Sequence, residues 1–330
     1  MDINENISKI LVVDPIDQLA ITQLEHQGFL VDVKLFPEPD TIVSLLDGYD
    51  ALICRTHTKL DKVFFEQVRS LKCVALASTG YDQIDLEAAT ASNVAIVGLP
   101  SANKKIDTKK HGNFISTAEH TILLLLAALG NFYDASKSMK NGLWERPHFV
   151  GIEAYGKKLG FVGFGRISKL VAARAQSFGM ETVAYDPYVS VEEMSEHNTA
   201  KVDLNTLCCE SDVITIHAPK TKETISLLDE KMFSLMKQDI VIINAARSEI
   251  IEKESLLKAL NSGKVKKIAL DVFNNEPYGI DWDIVNHKSV IPTPHIGGST
   301  HEAMRRISLS TANSLADFLL KGDTSNVINK

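Results

Sequence analysis

Three side chains in the second half of the sequence could do chemistry together: Arg247, Glu276 and His295. Each lies just past an apolar run. Arg247 ends Ile242-Ile243-Asn244-Ala245-Ala246, Glu276 comes after Ala269-Leu270-Asp271-Val272-Phe273, and His295 follows Ile291-Pro292-Thr293-Pro294. An arginine fork can hold a carboxylate through two parallel charge-assisted hydrogen bonds and polarise a carbonyl beside it. A histidine can give a proton to an oxygen as hydride reaches its carbon, or take one in the reverse direction. A neighbouring carboxylate favours the imidazolium and raises its pKa, keeping the acid form available near neutrality. Taken singly, each has an ordinary explanation: a surface ion pair, a turn before Pro277, a loop position after Pro294. The set gains meaning from sharing a region with a nucleotide signal, because groups at the carboxyl ends of strands in an open α/β sheet converge on the ligand crevice.

That signal is Leu159-Gly160-Phe161-Val162-Gly163-Phe164-Gly165-Arg166-Ile167-Ser168, which reads as a strand turning into a helix. Gly163 permits the tight turn, and Gly165 lets the backbone approach a pyrophosphate at the helix N-terminus. The third glycine of the fingerprint is replaced by Ser168, a position where helix–strand packing asks for a small residue. Such a loop also serves simply to pack a helix on a strand, so context decides. Asp186, in Tyr185-Asp186-Pro187 and about 20 residues on, stands where a carboxylate accepts the adenosine ribose hydroxyls. It would repel a 2′-phosphate and no arginine follows it closely, so the expected cofactor is NAD rather than NADP.

These groups need a scaffold, and the sequence supplies two. Short apolar, β-branched runs alternate with helical stretches in two series, one at 10–13, 51–54, 74–77 and 94–97, the other at 159–162, 182–185, 213–216, 240–243, 268–270 and 290–291. Near-continuous hydrophobicity in short runs suits strands covered on both faces, as in parallel sheets of right-handed βαβ units. The expected class is α/β, with two doubly wound parallel-sheet domains, for which 330 residues suffice. A formal charge of -7 disfavours nucleic acid and anionic membranes as partners, since both demand a cationic surface. The acidic N-terminus lacks the basic and apolar regions of a signal peptide, and the most apolar run, 122–129, is too short to span a bilayer. Ser116-Thr117-Ala118-Glu119 has the capping-box pattern that would start a buried helix there. Cys54, Cys73, Cys208 and Cys209 show no ligand spacing, so no metal is expected, and Cys54 and Cys73 read as reduced core thiols of a cytoplasmic protein. The lysine-rich stretch at 104–111 reads as a solvated surface loop.

Taken in order, the nucleotide loop with Tyr185-Asp186-Pro187, His217-Ala218-Pro219, Asn244 to Arg247, Asp271 to Pro277 and Pro294 to Ser299 resemble the D-isomer-specific 2-hydroxyacid dehydrogenase family. The resemblance implies a Rossmann nucleotide domain plus a flavodoxin-like substrate domain, with Arg247, Glu276 and His295 as the catalytic triad and Asp271 holding the nicotinamide carboxamide. It further implies cofactor contacts from Gly163, Gly165, Arg166, Ile167, Asp186, His217, Pro219, Thr224, Ala245, Gly297 and Gly298. Arg55-Thr56-His57-Thr58-Lys59, Ser78-Thr79-Gly80-Tyr81-Asp82, Ser116 to Thr121 and Gly142-Leu143-Trp144-Glu145-Arg146 are most similar to the 3-phosphoglycerate dehydrogenase branch. By that likeness Ser78, Thr79 and Gly80 would receive a substrate carboxylate, and Arg55 and Arg146 a phosphate.

The sequence departs from the family pattern at Ser248-Glu249, where a small, glycine-rich pair is usual, at Gln83, where many members have asparagine, and at 104–111, which looks like an insertion. The likeness implies a short form without the branch's regulatory domain, a substrate domain over 1–104 and 300–330, a nucleotide domain over 105–299, and a homodimer packed through the helix from Ser116. The substrate implied is a small 2-hydroxy or 2-oxo acid, led by D-3-phosphoglycerate, with glyoxylate or hydroxypyruvate reduction as the alternative. An NAD(H)-sensing corepressor shares the fold and is the alternative of another class. Formate oxidation is disfavoured, because that branch carries glutamine where Glu276 stands.

Overall fold

The computed structural model of the chain describes residues 8–37, 41–56, 58–100, 114–276 and 279–330. The chain divides into two compact units, Met1–Asn113 with Ser299–Lys330, and Phe114–Gly298. The expected boundary at residues 104 and 105, the stretch at 104–111, and His57 lie outside the described residues.

The first unit holds five parallel strands, β1 (Lys9–Val12), β2 (Leu30–Val33), β3 (Ala51–Cys54), β4 (Cys73–Leu76) and β5 (Ala95–Val97). Their order is β2-β1-β3-β4-β5, so the winding reverses between β1 and β3. β3 and β4 are buried along their whole length, which is why they read as unbroken apolar runs. One face is covered by the long helix His301–Lys321, whose Ile307, Ala312 and Leu315 pack with Ile10, Val12, Ile53 and Ala75. Thr300 caps that helix by accepting the Ala303 N–H, and Gly322, at φ 65°, ends it in the left-handed conformation that glycine adopts without strain.

The second unit holds seven parallel strands, β6 (Lys158–Val162), β7 (Glu181–Tyr185), β8 (Ala200–Lys201), β9 (Val213–Ile216), β10 (Ile240–Asn244), β11 (Val265–Leu270) and β12 (Val290–Pro292). Their order, β12-β11-β10-β9-β6-β7-β8, reverses between β6 and β9, the kind of point where open α/β sheets bind ligands. A core lies on each face, one around Phe161, Phe164, Val171 and Leu125, the other around Ile214, Ile242, Phe233 and Leu256.

Two strands were not expected, and both are sheet edges. β2 is largely exposed and β8 is two residues long, so neither carries the apolar run by which the others were read. The capping-box reading also fails. The helix Phe114–Leu129 is already formed before Ser116, which together with Thr117 is buried inside it rather than capping it. Among the described residues no single helix is long and apolar enough to cross a membrane. All four thiols are free. Cys54, Cys73 and Cys208 are buried, and burial pushes Cys54 well up and Cys73 and Cys208 to about 12, while Cys209 is exposed.

Gly160 in β6 faces a space already filled. A Cβ there would lie 2.2 Å from Ser211 Oγ and 2.9 Å from Leu207 Cγ, and the buried serine is held by donating to Leu207 O at 2.7 Å. Gly160→Ala is therefore expected to destabilise the fold by about 1–3 kcal/mol, measured by denaturant unfolding. An unchanged midpoint would show that helix Leu204–Glu210 gives way freely.

Candidate active site

In the first unit the expected substrate residues meet at the carboxyl ends of β1, β3 and β4. Asp14, buried just past β1, accepts from Arg55 N at 2.5 Å and from the Thr58 hydroxyl at 2.9 Å. Arg55 follows β3 and donates from Nε to Ala77 O at 3.3 Å, next to Ser78, whose hydroxyl donates to Gly80 O at 2.7 Å. Burial draws the Arg55 pKa down, opposed by the Asp14 charge. The departure at Gln83 has a structural role, since its side-chain amide donates to Arg55 O at 3.1 Å. Thr79, between Ser78 and Gly80, is exposed.

In the second unit the nucleotide loop is fixed from three sides. Gly163 sits at φ 87°, and a Cβ on it would lie 2.9 Å from Ala218 N, so the loops after β6 and β9 abut at the point of reversal. Asp186, at the end of β7, accepts from Phe164 N at 2.8 Å and from Tyr188 N at 2.9 Å. Ser168 is fully buried and donates to Gly163 O at 2.7 Å. The serine in place of the third glycine thus keeps the close packing and adds a bond across the loop. Gly165 begins the helix Arg166–Ser177 with no side-chain cap and open space around its Cα. The N–H groups of Arg166 and Ile167 lie in its first turn, where a helix offers them no intrahelical acceptor. The Arg166 guanidinium itself lies over the Phe114 ring, 4.0 Å from its centroid.

Beyond β9, Thr224 closes the segment it shares with Pro219, donating to Pro219 O at 2.6 Å and accepting from Thr221 N at 2.8 Å. His217 shares a hydrogen bond of 2.9 Å with Thr215 Oγ1, while its Nδ1 is sealed from solvent and has no partner among the described residues. Burial pushes its pKa down to about 3. An uncapped helix start, a glycine that leaves room, and a carboxylate at the next strand end together fit a dinucleotide.

The three residues expected to be catalytic, Arg247, Glu276 and His295, follow β10, β11 and β12, three neighbouring strands. Asn244 ends β10 wholly buried and folds the turn of Ala245 and Ala246, accepting from Ala246 N at 3.0 Å and donating to Arg247 O at 2.9 Å. Arg247 follows in extended backbone, with Nη1 donating to Ala246 O at 2.7 Å. The departure at Ser248-Glu249 links loops. The Ser248 hydroxyl donates to Asn274 Oδ1 at 2.8 Å, and Glu249 takes Lys220 Nζ at 2.6 Å. Glu276, two residues past Asn274, meets His295 Nδ1 at 2.6 Å, and its other oxygen accepts from Phe273 N. His295 holds φ 54°, an uncommon conformation for a residue other than glycine.

What holds that conformation is Asp271. Its Oδ1 accepts from the Thr293 hydroxyl at 2.6 Å, Ile296 N at 2.9 Å and His120 Nε2 at 3.2 Å, and its Oδ2 from Gly297 N at 2.8 Å. Burial alone would raise the Asp271 pKa, but donation from His120, Thr293 and Ile296 outweighs it and holds the group below its ordinary value. A Cβ on Gly297 would press to 3.1 Å from Asp271 Oδ2, so a larger residue there would push on the carboxylate, and Gly298 follows half-buried. Arg146 is exposed at the start of the turn Arg146–Phe149, and among the described residues it is not joined to the other site side chains. Sequence reasoning assigned no site role to Asn244, Thr293 or His120. A polar residue at an apolar strand end was the available signal for the first two.

The fold and these loops define an α/β protein with a dinucleotide-binding unit. Residues 122–297, more than half of the chain, match the model of the D-isomer specific 2-hydroxyacid dehydrogenase, NAD binding domain. The chain belongs to that family. It is 37% identical over 321 residues to the D-3-phosphoglycerate dehydrogenase of Archaeoglobus fulgidus, covering 97% of this chain and 59% of that protein. The chain therefore spans well under two thirds of that relative. Among solved structures it is similar to the NAD-dependent formate dehydrogenase of Staphylococcus aureus in complex with NAD, at TM-score 0.84 and 27% identity, covering 97% of this chain and 98% of that one. It is also similar to the apo-structure of D-lactate dehydrogenase from Escherichia coli, at TM-score 0.81 and 27% identity, covering 96% and 98%.

Two outcomes follow from the loop geometry. Ser168→Ala is expected to weaken NADH binding about fivefold and lower stability by about 1 kcal/mol, since Gly163 O loses its donor. Fluorescence titration reads the first, and unchanged affinity would mean that the loop holds without the hydroxyl. His217 stays neutral down to about pH 3 in the fold, whereas an exposed histidine takes its proton near 6.5. The unfolded chain therefore binds more protons as pH falls from about 6.5 toward 3, and the fold loses stability across that window. Melting temperature is expected to fall less steeply with acid in His217→Gln than in the wild type. Parallel curves would count against a ring held neutral in the fold.

Proposed function

We propose that the chain is an NAD-dependent dehydrogenase that moves a hydride to or from the 2-carbon of a small D-2-hydroxy acid, with D-3-phosphoglycerate and 3-phosphohydroxypyruvate the leading pair. The reading is carried by the contact of 2.6 Å between Glu276 and His295, one strand end from Arg247, within the unit that matches the family's NAD-binding domain. The name of the Archaeoglobus relative supports the choice of substrate.

NAD, when bound, supplies the hydride acceptor, and its reduced form supplies the donor. Gly163, Gly165 and the N–H groups of Arg166 and Ile167 would seat its pyrophosphate, and Asp186 its ribose. His217, Pro219, Thr224, Ala245, Asp271, Gly297 and Gly298 would line the rest of its path. Arg247 would hold the substrate carboxylate and polarise the 2-oxygen. His295 Nε2 would give that oxygen a proton during reduction and take it during oxidation, while Glu276 holds Nδ1 and fixes the orientation of the ring. Arg55 with Ser78, Thr79 and Gly80 would bind the substrate's anionic ends, and Arg146 would add a charge. The substrate part would comprise 1–104 with 300–330 and the nucleotide part 105–299. The protein would be a cytoplasmic homodimer, supported by the exposed apolar Leu123, Leu126, Phe132 and Met139 on the helices Phe114–Leu129 and Phe132–Lys140.

The test is turnover of NADH and NAD against D-3-phosphoglycerate, 3-phosphohydroxypyruvate, hydroxypyruvate, glyoxylate and pyruvate. His295→Ala is expected to lower kcat by about 10²- to 10⁴-fold while NADH still binds. Arg55→Ala is expected to raise KM for the phosphorylated acid more than for glyoxylate. Turnover of unphosphorylated acids alone would sink the substrate choice and keep the mechanism. Tight NADH binding with no turnover of any acid would sink the enzyme reading in favour of a nucleotide sensor.

A further inference from the structure

His120 lies on the helix Phe114–Leu129, nearly sealed from solvent, and none of the roles above uses it. Its Nε2 is 3.2 Å from Asp271 Oδ1 and 3.3 Å from Thr293 Oγ1. The threonine hydroxyl spends its one proton on Asp271 Oδ1, so toward His120 it can only accept. An ionised carboxylate also only accepts, and Asp271 is held in that form. Both neighbours therefore require the proton on Nε2, which assigns the ring's donor by its surroundings. The ring edge also faces the loop, since a Cβ added to Gly297 would lie 3.6 Å from His120 Cδ2.

We propose that His120 is a positioning residue for hydride transfer: its Nε2–H fixes the Asp271 carboxylate, and that carboxylate fixes the backbone presenting His295. Asp271 grips Ile296 N and Gly297 N, the two amides directly after His295, so a turn of the carboxylate shifts the imidazole. His295 sits at φ 54° with Glu276 on Nδ1, and the proton transfer it performs depends on where Nε2 points. A displacement of about 1 Å at such a group lowers rate about a hundredfold. The inference deepens the dehydrogenase reading and rests on it for its catalytic consequence.

Three substitutions separate a donor from a space filler. His120→Gln carries an N–H close to the position of Nε2, His120→Asn carries one too short to reach, and His120→Leu carries none but suits a buried apolar site. With the best oxo acid of the panel, the leucine and asparagine variants are expected to lose kcat about 10- to 100-fold, with KM changed by less than about threefold. The glutamine variant is expected to stay within about threefold of wild type. Amide exchange of the segment 293–298, followed by mass spectrometry, gives a second reading that needs no substrate. It is expected to quicken in the leucine and asparagine variants and not in the glutamine variant.

A packing role gives the opposite order, with leucine tolerated and glutamine impaired, and that result overturns the proposal. Should the leucine variant not fold, glutamine against asparagine decides alone, and equal loss in both overturns it. A wild-type chain that turns over none of the acids yet shows the expected exchange order sinks the dehydrogenase reading and supports the His120–Asp271 coupling. An active wild type whose exchange is unchanged in every variant sinks the coupling alone.

Discussion

Asp271 is 1% exposed, and a buried carboxylate must be met by donors on every side. Here the donors are the Thr293 hydroxyl, two successive backbone amides, and a histidine from a helix on the face of the sheet. Satisfying one charge and shaping the loop after β12 are therefore the same event. Around a neutral side chain the loop would have no reason to bring Ile296 N and Gly297 N to one point, and His295 would have no reason to hold a positive φ. The contact between Glu276 and His295 follows from that arrangement, since Glu276 is held in turn by Phe273 N, two residues past Asp271.

The cofactor side is organised by the same economy of strand ends. Every strand of the second unit runs parallel, so every carboxyl end lies along one edge of the sheet. Asp186 ties the end of β7 to the loop after β6, Ala218 closes that loop against the end of β9, and Ser248 and Glu249 tie the next loops together. A chain of contacts thus runs from the nucleotide loop to Arg247 without leaving that edge. The first unit repeats the principle on a smaller sheet, where Asp14, Arg55 and Ser78 follow β1, β3 and β4.

Much of this was legible in the sequence, and the failures have physical causes. Central strands such as Ala51–Cys54 and Val213–Ile216 are buried on both faces and announce themselves as apolar runs. Leu30–Val33 and Ala200–Lys201 lie at edges, where half the surface is solvent, and leave no such mark. Ser116 followed by Glu119 has the spacing of a cap, but spacing cannot tell a cap from a buried position inside the helix. Glycines and charged residues past strand ends were visible because the chemistry names them. Ser168 read as a tolerated substitute, whereas its hydroxyl is a working bond that only coordinates reveal. His120 was invisible as a site residue, because its partner stands about 150 positions away in the chain and a helix face gives no sign of what lies opposite.

The thiols open a different use of the molecule. Cys54 and Cys73 are sealed in the first unit and Cys208 in the second, all three with little thiolate to react, whereas Cys209 is open to solvent. A maleimide would therefore tag the native chain once, at Cys209, and further tags would report the opening of whichever unit holds the newly reached sulfur. Peptide mapping of those tags over time makes the chain its own clock for local unfolding, one unit at a time, with no probe engineered in.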